Sequence, residues 1–128
     1  MNNILLVFLG GGLGSLARFG ISEIVKNNFK SAFPIATLCS NILSCLILAL
    51  LVGLFTAKVD ANPAMKTFIV VGFCGGFSTF STFSYETVEL MRSGNMMYAI
   101  ANILISVVVC VALIYFISKQ HTELDFKF

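Results

Sequence analysis

Apolar residues along the chain gather into four long runs, each ended by a few charged or turn-forming positions. A helix needs about 20 apolar residues to cross the roughly 30 Å hydrocarbon core of a bilayer, and each run reaches or approaches that length. The pattern predicts four transmembrane helices, over residues 3–25, 34–56, 66–90 and 96–118, in an all-α membrane protein of one domain, 1–128. The connections KNNFKSAFP, KVDANPAMK and RSGN are short, so successive helices are expected as antiparallel neighbours. Pro34 and Pro63 fall at the starts of runs, where a missing N–H costs little. The tail KQHTELDFKF is polar and expected to fray.

Polar positions inside the runs carry the next layer of information, because polar groups at membrane depth need partners. In the second run Thr37, Asn41 and Ser44 are spaced i, i+4, i+7, on one helical face. In the fourth, Tyr98, Asn102 and Ser106 are spaced i, i+4, i+8, and Cys110 continues the row. Each stripe is open to two readings: hydrogen-bonding glue between helices, worth about 0.6–2 kcal/mol, or the lining of a wetted track. In the first run Gly10, Gly11, Gly12 and Gly14 suit close helix packing better than a phosphate loop. Arg18 interrupts the same run. A charge at the bilayer centre costs at least about 2.5–3.5 kcal/mol, so Arg18 is expected to snorkel to the far interface or to bind backbone carbonyls. Attraction of anions is a secondary role for it.

The third run holds the most unusual stretch, GFCGGFSTFSTFSYE, residues 72–86. Each glycine of the Gly75–Gly76 pair costs about 1 kcal/mol against Ala in a helix, and two together near mid-span predict a break. Free backbone at membrane depth must line a cavity, be covered by protein or meet an ion. With helix resuming near Ser78, Phe80 and Phe83 share one face, and Ser78, Ser81, Thr82 and Tyr85 cluster opposite. Core packing or lipid contact accounts for phenylalanines in a chain with 13 of them. Alternatively, an aromatic ring has a positive edge, which an anion can touch without meeting a full positive charge, while hydroxyls and the Asn41 amide donate hydrogen bonds in place of water.

Composition supports the membrane assignment: 58% of the 128 residues are hydrophobic and 11% charged, against about 25% charged in soluble domains. The net charge of +2, without a basic run, gives no sign of nucleic-acid binding. The apolar start lacks the positive residues that open a signal peptide. Cys39, Cys45, Cys74 and Cys110 form no CxxC pair, and the one histidine, His121, is in the tail. The cysteines therefore read as small hydrophobes, and no catalytic set can be assembled for an enzyme. The N-terminal side carries Lys58, Lys66, Lys119 and Lys127; the other carries Lys26, Lys30 and Arg92. Four positive charges against three give almost no orientation bias. Either charge predicts this topology poorly, or the chain inserts both ways and pairs as an antiparallel dual-topology homodimer. A four-helix protomer encloses little room, which also favours a pathway between two copies.

The motif GFCGGFSTFSTFS closely resembles the third-segment signature of the small bacterial fluoride channels of the Fluc (CrcB) family. GGLGSLARF resembles that family's first-segment motif, and ATLCSN the second-segment motif ending in Asn. The resemblance covers essentially the whole chain. It implies an antiparallel homodimer in the bacterial inner membrane, with two pores that let fluoride leave the cell passively. It implies that Phe80 and Phe83 line the pores and that Asn41 contributes a donor. It further implies that Ser81, Thr82, Glu86 and Ser106 belong to the polar pathway, and that the carbonyls of Gly75 and Ser78 from both copies hold a central Na⁺. Ser78, Ser40, Ser44, Cys45 and Asn102 depart from the residues usual at these positions. Two alternatives stay open on the residues: a small dual-topology proton-coupled multidrug exporter, and a non-transporting membrane assembly protein. The first needs an ionisable group in its site, whereas the acids Glu23, Asp60, Glu86, Glu89, Glu123 and Asp125 are expected near span ends or beyond.

Overall fold

The computed structural model describes residues 2–54 and 62–125; Lys58 and Lys127, which enter the charge count, and the acid Asp60 lie outside them. Helix α1 spans Asn3–Asn28 and α2 spans Ile35–Leu54. The third span is in two pieces. Its first, α3 (residues 63–77), is an α-helical turn Pro63–Lys66, a wider π-helical stretch Thr67–Cys74 and a last α turn Gly75–Phe77. Its second, α4, is Phe80–Arg92, and α5 runs from Met96 to Asp125. Among the described residues four helices are long and apolar enough to cross a membrane: Asn3–Asn28, Ile35–Gly53, Pro63–Arg92 and Met96–Lys119. Among the described residues there is no strand. The expected all-α architecture with a broken third helix is therefore what forms. The tail differs from expectation, since α5 continues through it to Asp125.

Local chemistry sets the ends. The Asn2 side chain accepts from the Ile4 N–H at 2.9 Å and starts α1. The Asn62 side chain accepts from the Met65 N–H at 3.1 Å, with Pro63 at the first helical position, the arrangement that satisfies free N–H groups at a helix start. At the end of α4, Gly94 adopts φ +86°. The Gly94 N–H donates to Met91 O and the Asn95 N–H to Leu90 O. The short RSGN connection is thus a glycine-dependent helix cap that sends α5 back alongside α4.

The burial pattern is inverted relative to a water-soluble protein. Thr37, Ser40, Ser44, Thr87, Asn102 and Ser106 are buried, while Ile4, Phe8, Leu16, Val108 and Val111 are exposed. That is the distribution expected where the surroundings are hydrocarbon and polar groups must be satisfied internally.

α1 and α3 meet backbone to backbone. A Cβ at Gly10 would overlap the Phe68 carbonyl oxygen, and one at Gly14 the Phe73 carbonyl oxygen. From the other side, a Cβ at Gly76 would overlap the Gly11 carbonyl oxygen. The glycine-rich motif is therefore a packing device at Gly10 and Gly14, whereas a Cβ at Gly11 would make only an ordinary contact and Gly12 meets nothing within 4 Å. Two substitutions should differ in sign. Gly14→Ala must push α3 away and lower stability by about 1–3 kcal/mol. Gly20→Ala, with nothing within 4 Å, should gain up to about 1 kcal/mol from helix propensity. Thermal unfolding in detergent checks both; equal effects would mean that the close approach is not needed.

Candidate functional site: a broken helix between two cavities

The break lies at Ser78 and Thr79, just past the Gly75–Gly76 pair. Ser78 (φ −83°, ψ 156°) and Thr79 (φ −150°, ψ 114°) are extended, while Gly75 stays helical. Helix resumes at Phe80 rather than at Ser78. The reason is an interhelical clasp. The Thr79 N–H donates to Asn41 Oδ1 at 2.8 Å, and Asn41 Nδ2 donates to the Thr79 carbonyl at 3.5 Å. One side-chain amide thus takes both polar groups of one peptide residue and replaces the helical hydrogen bonds lost there.

The rest of the break is secured residue by residue. The Cys74 carbonyl accepts from the Ser78 N–H at 3.1 Å and from the Ser44 and Ser78 hydroxyls at 2.9 Å each. The Gly76 carbonyl accepts from Arg18 Nε at 3.3 Å. Arg18 therefore binds backbone at the break, one of the two roles expected for it. Thr79 Oγ1 accepts from the Thr82 N–H at 3.3 Å and caps α4, with Ser81 Oγ 3.4 Å away. These bonds leave the Gly75 and Ser78 carbonyls out of the set that secures the break.

The polar stripe of α2 docks the third span at three levels. Thr37 Oγ1 donates to Glu86 Oε1, Asn41 holds Thr79, and Ser44 donates to Cys74 O. On α5, Asn102 Nδ2 donates to Thr87 Oγ1 at 2.9 Å, Thr87 Oγ1 donates to Phe83 O at 2.8 Å, and Ser106 Oγ donates to Asn102 Oδ1 at 3.3 Å. Tyr98 leaves this chain and meets Phe33 edge-on, with centroids 5.9 Å apart. The stripes act as glue, and three of their hydrogen-bonding residues, Thr37, Asn41 and Ser106, also line cavities.

One cavity, of about 280 Å³, is bounded by Asn41, Phe80, Phe83 and Ser106 together with Ser78, Thr79, Cys45 and Cys110. The Phe80 and Phe83 centroids are 5.7 Å apart and the rings tilt by 44°. Phe83 is 8% exposed and Phe80 77%, so the pair joins the interior to the outer surface, and Gly75 is exposed as well. The second cavity, also about 280 Å³, is bounded by Arg18, Thr37, Ser40, Thr79, Thr82 and Glu86, with Ser15 and Ser22 nearby. Ser40, 1% exposed, brings a hydroxyl with no protein partner to it. A third hollow, holding Glu86, Glu89 and Ser93, lies beyond.

Asn41, Phe80, Phe83 and Ser106 are thus together, and Arg18, Thr82 and Glu86 are together; Ser81 is exposed beside the cap of α4. Glu86 lies in α4 toward the end of the third span, which runs to Arg92, and borders the second cavity. Thr79, which borders both cavities, was not singled out from the sequence, and the engagement of Glu86 by Thr37 was not foreseen. The run of hydroxyls and the Thr37–Asn41–Ser44 spacing were the available signals.

Residues 5–117 match the family described as "CrcB-like protein, Camphor Resistance (CrcB)". A protein of Pyrococcus horikoshii named "Fluoride-specific ion channel FluC" is 43% identical over 112 residues, covering 88% of this chain and 89% of that protein. One of the same name from Magnetococcus marinus is 44% identical over 109 residues, covering 85% and 89%. Another, from Serratia proteamaculans, is 41% identical over 106 residues, covering 83% of each.

Proposed function

The chain belongs to the CrcB family and is a multi-pass membrane protein, and from that premise we propose that it is a fluoride-selective ion channel, not an enzyme, that lets fluoride leave the cytoplasm passively across the inner membrane. The observation that carries the proposal is the convergence of Phe80, Phe83, Asn41 and Ser106 on one cavity beside the broken helix. The Asn41 amide nitrogen has two N–H groups, one of which serves the clasp. The other, with the edges of the two rings, suits a small anion that has left its water, while Ser106, whose hydroxyl is given to Asn102, borders the site. Binding of this kind replaces hydration without trapping the ion at a full positive charge. The second cavity serves as the approach: Arg18 attracts an anion, and the Ser40 and Thr82 hydroxyls line its way to Thr79, the residue common to both cavities.

The unit is an antiparallel homodimer. Phe80 is largely exposed, and the cavity it borders is open-sided, so a second copy completes the wall. The Gly75 and Ser78 carbonyls, with the same pair from the second copy, are hard oxygen donors of the kind that suit Na⁺, and their freedom from the bonds that secure the break fits that use. A bound Na⁺ would tie the two breaks together. Ser78→Thr, which keeps the carbonyl, should leave Na⁺-dependent dimer stability unchanged; its loss would remove Ser78 from the site. Labelling of Lys127→Cys in intact cells should proceed from both sides of the membrane. Labelling from one side only would exclude the dual topology.

The deciding experiment is fluoride efflux from proteoliposomes with the membrane potential clamped. One charge gains about 2.3 kcal/mol per 100 mV, so a negative interior drives fluoride out without coupling. Efflux should follow the electrochemical gradient of fluoride alone and should be absent for chloride. Glu86 inside the second cavity is the one feature that favours the exporter alternative. If a pH gradient at clamped potential drives fluoride uphill, a coupled carrier replaces the channel.

A further inference from the structure

Two thiols far apart in sequence meet on the wall of the cavity that holds the phenylalanine pair. Cys45, on α2, and Cys110, on α5, border it beside Asn41, Phe83 and Ser106. The two helices pack against each other, so both thiols face one cavity of about 280 Å³. The remaining cysteines are placed differently: neither Cys39 nor Cys74 borders this cavity. Among the described residues no cluster of three or more His, Cys, Asp or Glu side chains forms. The pair therefore offers two sulfur ligands and no further strong ligand.

Ligand number, softness and charge select what such a pair binds. Zinc takes four ligands in structural sites and three plus water in catalytic ones, and hard cations take oxygen. Two thiolates on opposite helices suit a soft d¹⁰ cation that prefers linear, two-coordinate geometry. Charge then discriminates within that class. Two thiolates with a monovalent cation leave a net negative charge at membrane depth, which is costly. With a divalent cation the complex is neutral. We infer that Cys45 and Cys110 form a two-coordinate binding site for a soft divalent cation of the mercury(II) type, and that its occupation closes the adjoining anion route. Mercuric chloride is neutral and can reach membrane depth. On binding, each thiol loses its proton to solvent, two S–Hg bonds form and two chlorides leave. Nothing is oxidised or reduced. The site itself stands on the thiol pair, whereas the blocking effect rests on the channel proposal.

The full-length protein in detergent is titrated with mercuric chloride, and the ultraviolet charge-transfer band of mercury bis-thiolate is followed. The band should saturate at one mercury per chain in the unmodified protein and in Cys39→Ala, and should vanish in Cys45→Ala and in Cys110→Ala. Persistence of the band in both of the latter overturns the site. In proteoliposomes each protein is compared with itself before and after mercury. Fluoride efflux should fall at least tenfold in the unmodified protein and in Cys39→Ala, and recover on addition of a small dithiol. Cys45→Ala and Cys110→Ala should need at least tenfold more mercury for the same block. A saturated band with undiminished efflux overturns the blocking effect. Absence of fluoride efflux before any mercury is added defeats the channel proposal instead, and the titration alone then decides the site.

Discussion

Replacing Phe83 by isoleucine should reduce fluoride efflux by more than tenfold, and the Phe80→Ile/Phe83→Ile double variant should reach the background of empty liposomes. Isoleucine keeps the side chain apolar and branched but has no quadrupole, so the positive ring edge is lost. Phe83 is buried beside Ser106 and Asn41, with Phe80 5.7 Å away across the mouth of the cavity. A tenfold change corresponds to about 1.4 kcal/mol, within reach of two ring contacts worth about 0.5–1.5 kcal/mol each. Such a swap costs about 1–3 kcal/mol of packing at most, so the variants should still elute from a sizing column as the unmodified protein does. Efflux measured with a fluoride electrode at the unmodified rate would reduce both phenylalanines to packing residues.

Asn41→Leu should damage stability and transport together. Leucine cannot take the Thr79 N–H or carbonyl, and each group left unpaired at membrane depth costs about 1–3 kcal/mol. The midpoint of thermal unfolding in detergent should fall clearly, and fluoride efflux should be lost because the same amide faces the cavity. Ser44→Ala is the control. It removes one of three donors to the Cys74 carbonyl, and Ser78 keeps the other two, so the loss should stay near about 1 kcal/mol. If Asn41→Leu melts no lower than Ser44→Ala, the clasp does not hold the break.

These two residues also mark how far the sequence could be read. Hydrophobic run length was enough for the four long helices, because their apolar faces are continuous. Spacing was enough to put Thr37, Asn41 and Ser44 on one face of α2. The break was legible from glycine propensity, but its position was not. Gly76 is spent on the close approach to Gly11, and the interruption sits where Asn41 reaches across to Thr79. That contact spans 38 positions and leaves no local signature. That Glu86 borders a cavity was not legible either, because Thr37, Arg18 and Ser40, which share that cavity, come from other helices. Cys45 and Cys110 carry no spacing that could announce their meeting.

The clasp between Asn41 and Thr79 also bears on how the protein is made. Ribosomes deliver the chain from its N-terminus, so α2 is in the bilayer before the third span emerges. The extended residues Ser78 and Thr79 would be poorly tolerated by lipid on their own. Their partner, however, is already waiting at membrane depth. The third span can thus enter as a nearly complete helix and open at its centre on docking against α2. Its unusual shape is a late event of assembly, and the order of the segments in the gene is what makes that event safe.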